Sequence, residues 1–350
     1  MKTPWVNLLL LLLLVVQTVT GYFGLTGGRA SGAWVLWLHG AVAYGLVLLL
    51  YFKVGIIFDA WRRKRKWTAR RAGFVVTLGL LLLVLLSGLL WTFDGPIYLG
   101  GFSLVSLHIY LAVPLMILML WHSWHMRFIL RVRGTTGRRL FLGGLAAALG
   151  GWLLWLTAGR LTAWAGWAGA QRRFTGSYEA GSFSDRFPVV SWIADRPPAV
   201  DPATWSLTID GLVDSPLTVT FAELLALPQQ TLAAVLDCTG GWYAEQHWRG
   251  VRVGDLLAAA GVQSDAASVT FESMTGYKRR FPLAEAADFL LAVGFLVGES
   301  GADFAPLSPG HGYPLRLVAP GQRGMEWVKW VAAVRLNPTG PALQSPLPLQ

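Results

Sequence analysis

Five long apolar runs fill the first half of the chain, and an ordinary soluble fold has no place for them. They cover Trp5–Thr20, Ala33–Phe58, Gly73–Trp91, Ser103–Leu130 and Leu140–Ala158. Each is near or above the ~20 residues an α-helix needs to cross ~30 Å of hydrocarbon, the first being the shortest. That first run follows Met1-Lys2 without a convincing small-x-small cleavage site, so it reads as a retained anchor rather than a signal peptide. A hydrophobic fraction of 54% with only 14% charged residues agrees.

The basic residues orient the spans. Arg62, Arg63, Lys64, Arg65, Lys66, Arg70 and Arg71 fill the loop after the second run, and Arg127, Arg131, Arg133, Arg138 and Arg139 flank the turn after the fourth. The alternate loops carry almost none. The positive-inside rule makes the two basic loops cytoplasmic. The amino terminus is then inside, and everything beyond the fifth span is outside the cytoplasm. Without those twelve residues the net charge of +10 would be slightly negative, so the basicity reports topology and not nucleic-acid binding.

Past Arg160 the pattern changes. Residues 160–180 read as a linker near the membrane surface, and 338–350 as a Pro-rich, disordered tail. Between 181 and 337 lie short β-rich runs, Trp205–Ile209, Leu217–Thr220, Thr231–Leu236, Ser268–Glu272, Leu315–Ala319 and Val331–Leu336. Short helical stretches, Phe221–Leu227 and Val253–Ala260, sit among them. The expected fold is multi-domain: an all-α transmembrane bundle of about five spans over 1–159, then an α+β, β-rich domain over 181–337. No internal repeat is visible. The tryptophans Trp152, Trp155, Trp164 and Trp167 fit an interfacial belt.

Four histidines lie in or near spans: His39, His108, His122 and His125. Ionisable groups in a bilayer are costly and normally face a bundle interior with a role. His39 and His108 lie at matched depth from the outer side on different helices, as a bis-histidine b-type haem requires. His122 is 14 residues beyond His108 and returns to nearly the same helix face. This spacing resembles that of the b-type cytochrome subunits of formate dehydrogenases and hydrogenases, which stack two haems. A second, inner haem on His122 has no evident partner ligand, and the inner histidines can equally line a quinone site.

Cys238 is the only cysteine, so an intramolecular disulfide is excluded; packing, nucleophilic chemistry and metal ligation remain. Downstream, His311-Gly312-Tyr313-Pro314-Leu315-Arg316 and Gly324-Met325-Glu326-Trp327-Val328-Lys329-Trp330 form a glycine-rich, cationic region. Arg316 and Lys329 suit a phosphate, one as a fork and the other as a point charge. A thiolate nearby would complete a site for a soft metal carried by an anionic cofactor.

These blocks, with Trp248-Arg249-Gly250-Val251 running to Asp255-Leu256-Leu257 and the stretch Asp201–Val213, resemble the molybdopterin-binding domain of the sulfite oxidase superfamily over roughly 200–336. The resemblance implies that Cys238 is the thiolate on molybdenum. It implies that His311, Arg316 and Lys329 bind the molybdopterin phosphate and pterin, with Trp327 and Val328 beside Lys329. The chain departs from the family where an arginine-rich stretch follows the cysteine; here it is Thr239-Gly240-Gly241-Trp242-Tyr243. Phe183-Ser184-Asp185-Arg186-Phe187-Pro188 occupies the region of the family's amino-terminal R-N-H loop without an aligned match for Arg186. Pairing with a membrane cytochrome looks like the bacterial periplasmic methionine-sulfoxide reductase system, whose two functions lie on separate chains.

The expected activity is extracytoplasmic oxygen-atom transfer at molybdenum, coupled through haem b to the quinone pool. The favoured direction is reduction of a sulfoxide- or N-oxide-like small molecule or of oxidised protein side chains. Alternatives are a sulfite-oxidising dehydrogenase, an inactive sensor that keeps the fold, and a thiol enzyme with Cys238 as nucleophile and His247 or His311 as base. Tyr243 and Tyr277 have no spacing argument that assigns them a role.

Overall fold

The computed structural model describes residues 4–62, 68–125, 136–192, 195–341 and 344. The orienting residues Arg63, Lys64, Arg65, Lys66, Arg127, Arg131 and Arg133 lie outside the described residues, as does most of the Pro-rich tail. Two compact units divide at Tyr178 and Glu179.

The first unit is helical: α1 (Pro4–Thr26), α2 (Ala33–Arg62), α3 (Ala69–Phe93), α4 (Leu104–His125) and α5 (Thr136–Trp164). All five are long and apolar enough to cross a membrane. Their inward faces share one cluster, including Leu9, Leu46, Leu81, Leu115 and Ala147. Their outward faces stay apolar as well: Leu12, Leu120 and Leu153 are each more than half exposed. A helix apolar all round belongs in a core or a bilayer, not against water.

α1 packs on α2, α3 on α4, and α5 on both α2 and α1. The α2–α5 contact is close because small residues face each other. A Cβ at Gly45 would lie 3.0 Å from the Ala147 carbonyl oxygen, and one at Gly151 would strike the Ala41 carbonyl and Gly45 nitrogen. Ala41/Gly45 and Ala147/Gly151 thus form the small-xxx-small pattern that lets membrane helices approach. Residues 160–180, expected as a linker, carry ordered structure up to the division. α5 runs on to Trp164, a 3₁₀ turn follows at Ala168–Gln171, and the Trp91 indole donates to the Gly176 carbonyl at 2.8 Å.

The second unit contains β1 (Ser206–Gly211), β2 (Leu217–Thr220), α6 (Phe221–Ala226), β3 (Gln230–Asp237), β4 (Trp242–Arg252), α7 (Val253–Ala260), β5 (Ser268–Ser273), β6 (Lys278–Pro282), α8 (Leu283–Ala286), β7 (Leu290–Val297), β8 (Asp303–Pro306), β9 (Arg316–Val318) and β10 (Val331–Asn337). One 5-stranded sheet runs β2-β1-β10-β5-β6, with β1 and β10 parallel. In the other, β4 and β7 are antiparallel neighbours, β3 pairs with β4, and β8 and β9 pair with β7. Period-two burial is clear in β1, where Leu207 and Ile209 are fully buried and their neighbours are not. The capping box Thr220/Glu223 starts α6. A single core joins the two sheets through residues such as Leu207, Trp248, Phe271, Leu291 and Leu317.

Candidate cofactor site

β3 and β4 form a hairpin whose turn presents Cys238. Ladder pairing ends at Asp237↔Tyr243, and the turn closes when Cys238 N–H donates to the Trp242 carbonyl at 2.8 Å. Gly241 takes φ 88°, which a side chain would resist. Gly240 N–H donates to Cys238 Sγ at 3.3 Å. The thiol is buried, and burial pushes its pKa up; the Gly240 amide, Arg323 and Arg316 oppose this, while Asp237 adds to it.

Arg323 fastens the turn from behind. Its guanidinium donates to Asp237 Oδ1 at 2.7 Å and to the Cys238 carbonyl at 3.2 Å, with both side chains buried. The following turn, Gly324–Glu326, lies so close that a Cβ at Gly324 would be 3.2 Å from Cys238 Cα. Sequence reasoning missed Arg323. The available signal was Asp237, an acid at the end of an apolar strand that needs a cation once buried.

Arg316 opens β9 and is 5% exposed. Its guanidinium carbon lies 5.4 Å from the Trp248 ring centre and 5.8 Å from that of Trp327. One nitrogen donates to the His311 carbonyl at 3.0 Å; its buried Nε has no hydrogen-bond partner among the described residues. Burial draws its pKa down to about 10, against the pull of Cys238. Lys329 donates to the Val190 carbonyl at 3.0 Å, Ser191 Oγ at 2.7 Å and the Gly310 carbonyl at 2.9 Å. Burial and the Arg316 charge bring its pKa down to about 7. Gly312, at φ 108°, lets the two cationic stems converge: a Cβ there would lie 3.1 Å from Lys329 Cβ and 3.3 Å from Arg316 Cβ.

His311 stacks on Phe187 with ring centres 3.9 Å apart. Its Nδ1 meets Ser308 Oγ and its Nε2 the Phe187 carbonyl, each at 3.0 Å. Both nitrogens are therefore engaged, and His311 reaches an anion only by giving up the Ser308 hydroxyl or the Phe187 carbonyl. Trp327 and Val328 are core residues: Trp327 packs edge-on to Trp248 at 5.6 Å, and the Val328 carbonyl accepts from Leu317 N–H. Arg186 is exposed.

His247 pairs with Ala233, four rungs from the turn. At ~3.3 Å per rung this is ~13 Å from the last rung, with Cys238 one residue beyond it, and the His247 ring packs on Phe183. Neither proposed base is therefore poised on the thiol. Among the described residues no group of three His, Cys, Asp or Glu can hold a metal. A metal at Cys238 must bring its other ligands with it. The residues fit such a group: one thiol, and two converging cations whose hydrogen-bond partners are neutral, one with an orphaned donor.

The oxidoreductase molybdopterin binding domain profile matches residues 194–341. YuiH of Bacillus subtilis (strain 168), described as an uncharacterized oxidoreductase, is 32% identical over 152 residues, 43% of this chain and 74% of YuiH. The chain belongs to the molybdopterin-binding oxidoreductase family. The molybdopterin domain also resembles part of the NADH nitrate reductase of Volvox carteri, at 28% identity over 40% of this chain, although the match spans only 19% of that enzyme. The sulfane dehydrogenase SoxCD of Paracoccus pantotrophus aligns at 27% identity and a TM-score of 0.37, over 44% of this chain and 41% of that one. The family assignment makes residues 194–341 a molybdopterin-binding oxidoreductase domain and supports a molybdenum cofactor there.

The helical unit holds a second constellation. His39 on α2 and His108 on α4 lie edge to face, with ring centres 6.3 Å apart and ring planes at 75°. An iron bonded to two imidazole nitrogens at ~2 Å each requires ring centres ~6 Å apart. His39 Nδ1 is held by Thr20 Oγ1 at 3.0 Å; His108 Nδ1 is held by the Val84 carbonyl at 2.9 Å and Ser87 Oγ at 3.2 Å. Neither Nε2 makes a hydrogen bond among the described residues. Each ring also lies over a glycine: a Cβ at Gly21 would be 3.3 Å from His39 Cε1, and one at Gly88 would be 3.2 Å from His108 Cε1. One device, a hydroxyl-glycine step against a histidine, occurs twice, on α1/α2 and on α3/α4. The sequence shows no such repeat because only two short residue steps carry it. His122 is half-buried within electrostatic reach of Lys53, and no described histidine ring faces it. The side chain of His125 lies outside the described residues.

Proposed function

We propose that the chain is a membrane-anchored molybdenum oxidoreductase that works outside the cytoplasm. It reduces a sulfoxide- or N-oxide-like substrate with electrons drawn from the quinone pool through a b-type haem. The observation that carries this reading is the buried Cys238 turn flanked by Arg316 and Lys329, two cations with neutral hydrogen-bond partners.

When bound, the molybdenum cofactor supplies oxygen-atom transfer with a two-electron change, and the haem passes single electrons. The protein's residues do the rest. Cys238 ligates the metal from a turn that Arg323 and Asp237 hold rigid. Arg316 and Lys329 bind the anionic end of the cofactor, with His311 exchanging a loop bond to join them. Trp248 and Trp327 exclude water around Arg316, which strengthens its hold on an anion. The turn residues Thr239–Tyr243 add no cation, which favours a neutral S=O or N–O group over anionic sulfite. His39 and His108 ligate the outer haem, and His122 with Lys53 lines the inner side where quinone docks. Five lipid-compatible helices and the distribution of arginines support the anchor and its orientation.

The test is a dye-coupled assay on the intact protein from a molybdopterin-competent host. Reduced viologen should be consumed with sulfoxides or N-oxides. Turnover of sulfite with an oxidised acceptor, and none with the sulfoxide panel, would reverse the proposed direction.

A further inference from the structure

Among the described residues, the helical unit carries a half-buried cation, Arg172, with no ion-pair partner. Residues 1–178 contain only two acids, Asp59 and Asp94. Arg172 follows the 3₁₀ turn after α5 and is half-buried. Its one hydrogen bond among the described residues is to Thr92 Oγ1, at 3.0 Å. It forms no ion pair among the described residues, and Asp94 is not among the charges acting on it; the side chain of Asp59, twenty residues beyond His39 on α2, lies outside the described residues. A guanidinium has five donors, and withdrawing it from water is costly unless an anion meets it.

Its position says which anion. Thr92 donates to the Gly88 carbonyl at 2.8 Å, leaving its oxygen to accept from Arg172. Gly88 is the residue on which the His108 ring lies. Arg172 is therefore one turn of α3, ~6 Å, from the level of the histidine pair and toward the chain's outer end. Tyr44, five residues beyond His39, is within electrostatic reach of Arg172, and its buried hydroxyl has no hydrogen-bond partner. Arg172 thus borders the histidine pair on its outer side, and the orphaned Tyr44 hydroxyl lies on α2 to the inner side of His39.

The geometry points to Arg172 as the binding site for a carboxylate of a haem held by His39 and His108. This rests on the haem reading above. The carboxylate supplies the missing counter-ion and fixes the haem with its acidic edge toward the outer surface. Lipid phosphate shares the chemistry, so the experiment separates the two.

The experiment compares intact wild type with Arg172→Gln, Arg172→Lys, Arg160→Gln and His39→Ala by haem content, redox titration and bound phosphorus after delipidation. Arg172→Gln should lower the haem midpoint potential or the haem occupancy. Arg172→Lys should recover part of the loss, and Arg160→Gln, which removes an exposed cation, should change neither. His39→Ala should lose the b-type band while eluting as wild type does. A wild-type protein without a b-type band removes the haem reading and this assignment with it. A normal wild-type band with unchanged potential and occupancy in Arg172→Gln removes the assignment alone. Loss of bound phosphorus in that variant with an unchanged haem would give Arg172 to a lipid instead.

Discussion

At the residue scale the Cys238 turn is served by two arginines with different tasks. Arg323 is paired and structural: it meets Asp237 and the Cys238 carbonyl. Replacing it with alanine leaves a buried carboxylate alone, so Arg323→Ala should cost about 3–5 kcal/mol, read as a lower unfolding midpoint of the molybdopterin domain. Arg316 is neutrally partnered and awaits an anion, so Arg316→Leu should release cofactor with much less loss of stability. Lys329 gives the site a pH signature. Its folded pKa of about 7 lies below the ordinary lysine value of 10.5. The cofactor-free fold therefore carries a penalty that is full below pH 7 and fades as pH rises toward 10.5. Cofactor-free wild type should gain stability over that window, and Lys329→Met should not. A bound anion lifts the lysine back toward its usual pKa, so loading takes up a proton and weakens as pH rises through the same window. Melting curves and cofactor retention against pH check both.

At the scale of elements, much of the fold is legible in the chain. Strands such as β1, β2 and β10 declare themselves by alternation, and α7 by its apolar face closed at Gly261. β4 does not, because its buried face, Trp242, Ala244, Gln246, Trp248 and Gly250, includes a polar amide and a glycine. The buried Gln246 amide nitrogen donates to the Gly181 and Ser184 carbonyls, partners no local pattern reveals. β7 is buried on both faces, so its apolar run has no period to read. The Arg316/Lys329 convergence was visible as two motifs, but the Gly312 backbone that joins them is a matter of conformation. Gly312→Ala should cost about 1–3 kcal/mol and loosen cofactor binding. In the helical unit, Gly151→Leu should force α5 from α2 and lower the melting temperature in detergent. A melt unchanged from wild type would contradict the packing.

At the scale of the whole molecule, the chain joins two units whose surfaces obey different solvents. The first exposes leucines on every helix; the second buries its apolar residues in one core. Composition alone separates them, because hydropathy is a property of the residues themselves. The histidine pair and the cofactor site required three dimensions: each brings together groups from distant parts of the chain. The proposed orientation puts the molybdopterin domain outside the cytoplasm. A membrane-impermeant amine reagent on intact cells should therefore label Lys278, an exposed residue of β6, and leave the basic loop around Lys64 unlabelled.

The central claim is that Cys238 is the protein's ligand to a molybdenum cofactor. Metal analysis of the intact protein from a molybdopterin-competent host, wild type beside Cys238→Ser, tests it most directly. The account predicts stoichiometric molybdenum in wild type, with oxygen-atom transfer abolished and the metal's sulfur ligation altered in the variant. Wild type without molybdenum, or a Cys238→Ser protein with full activity and unchanged ligation, would contradict it.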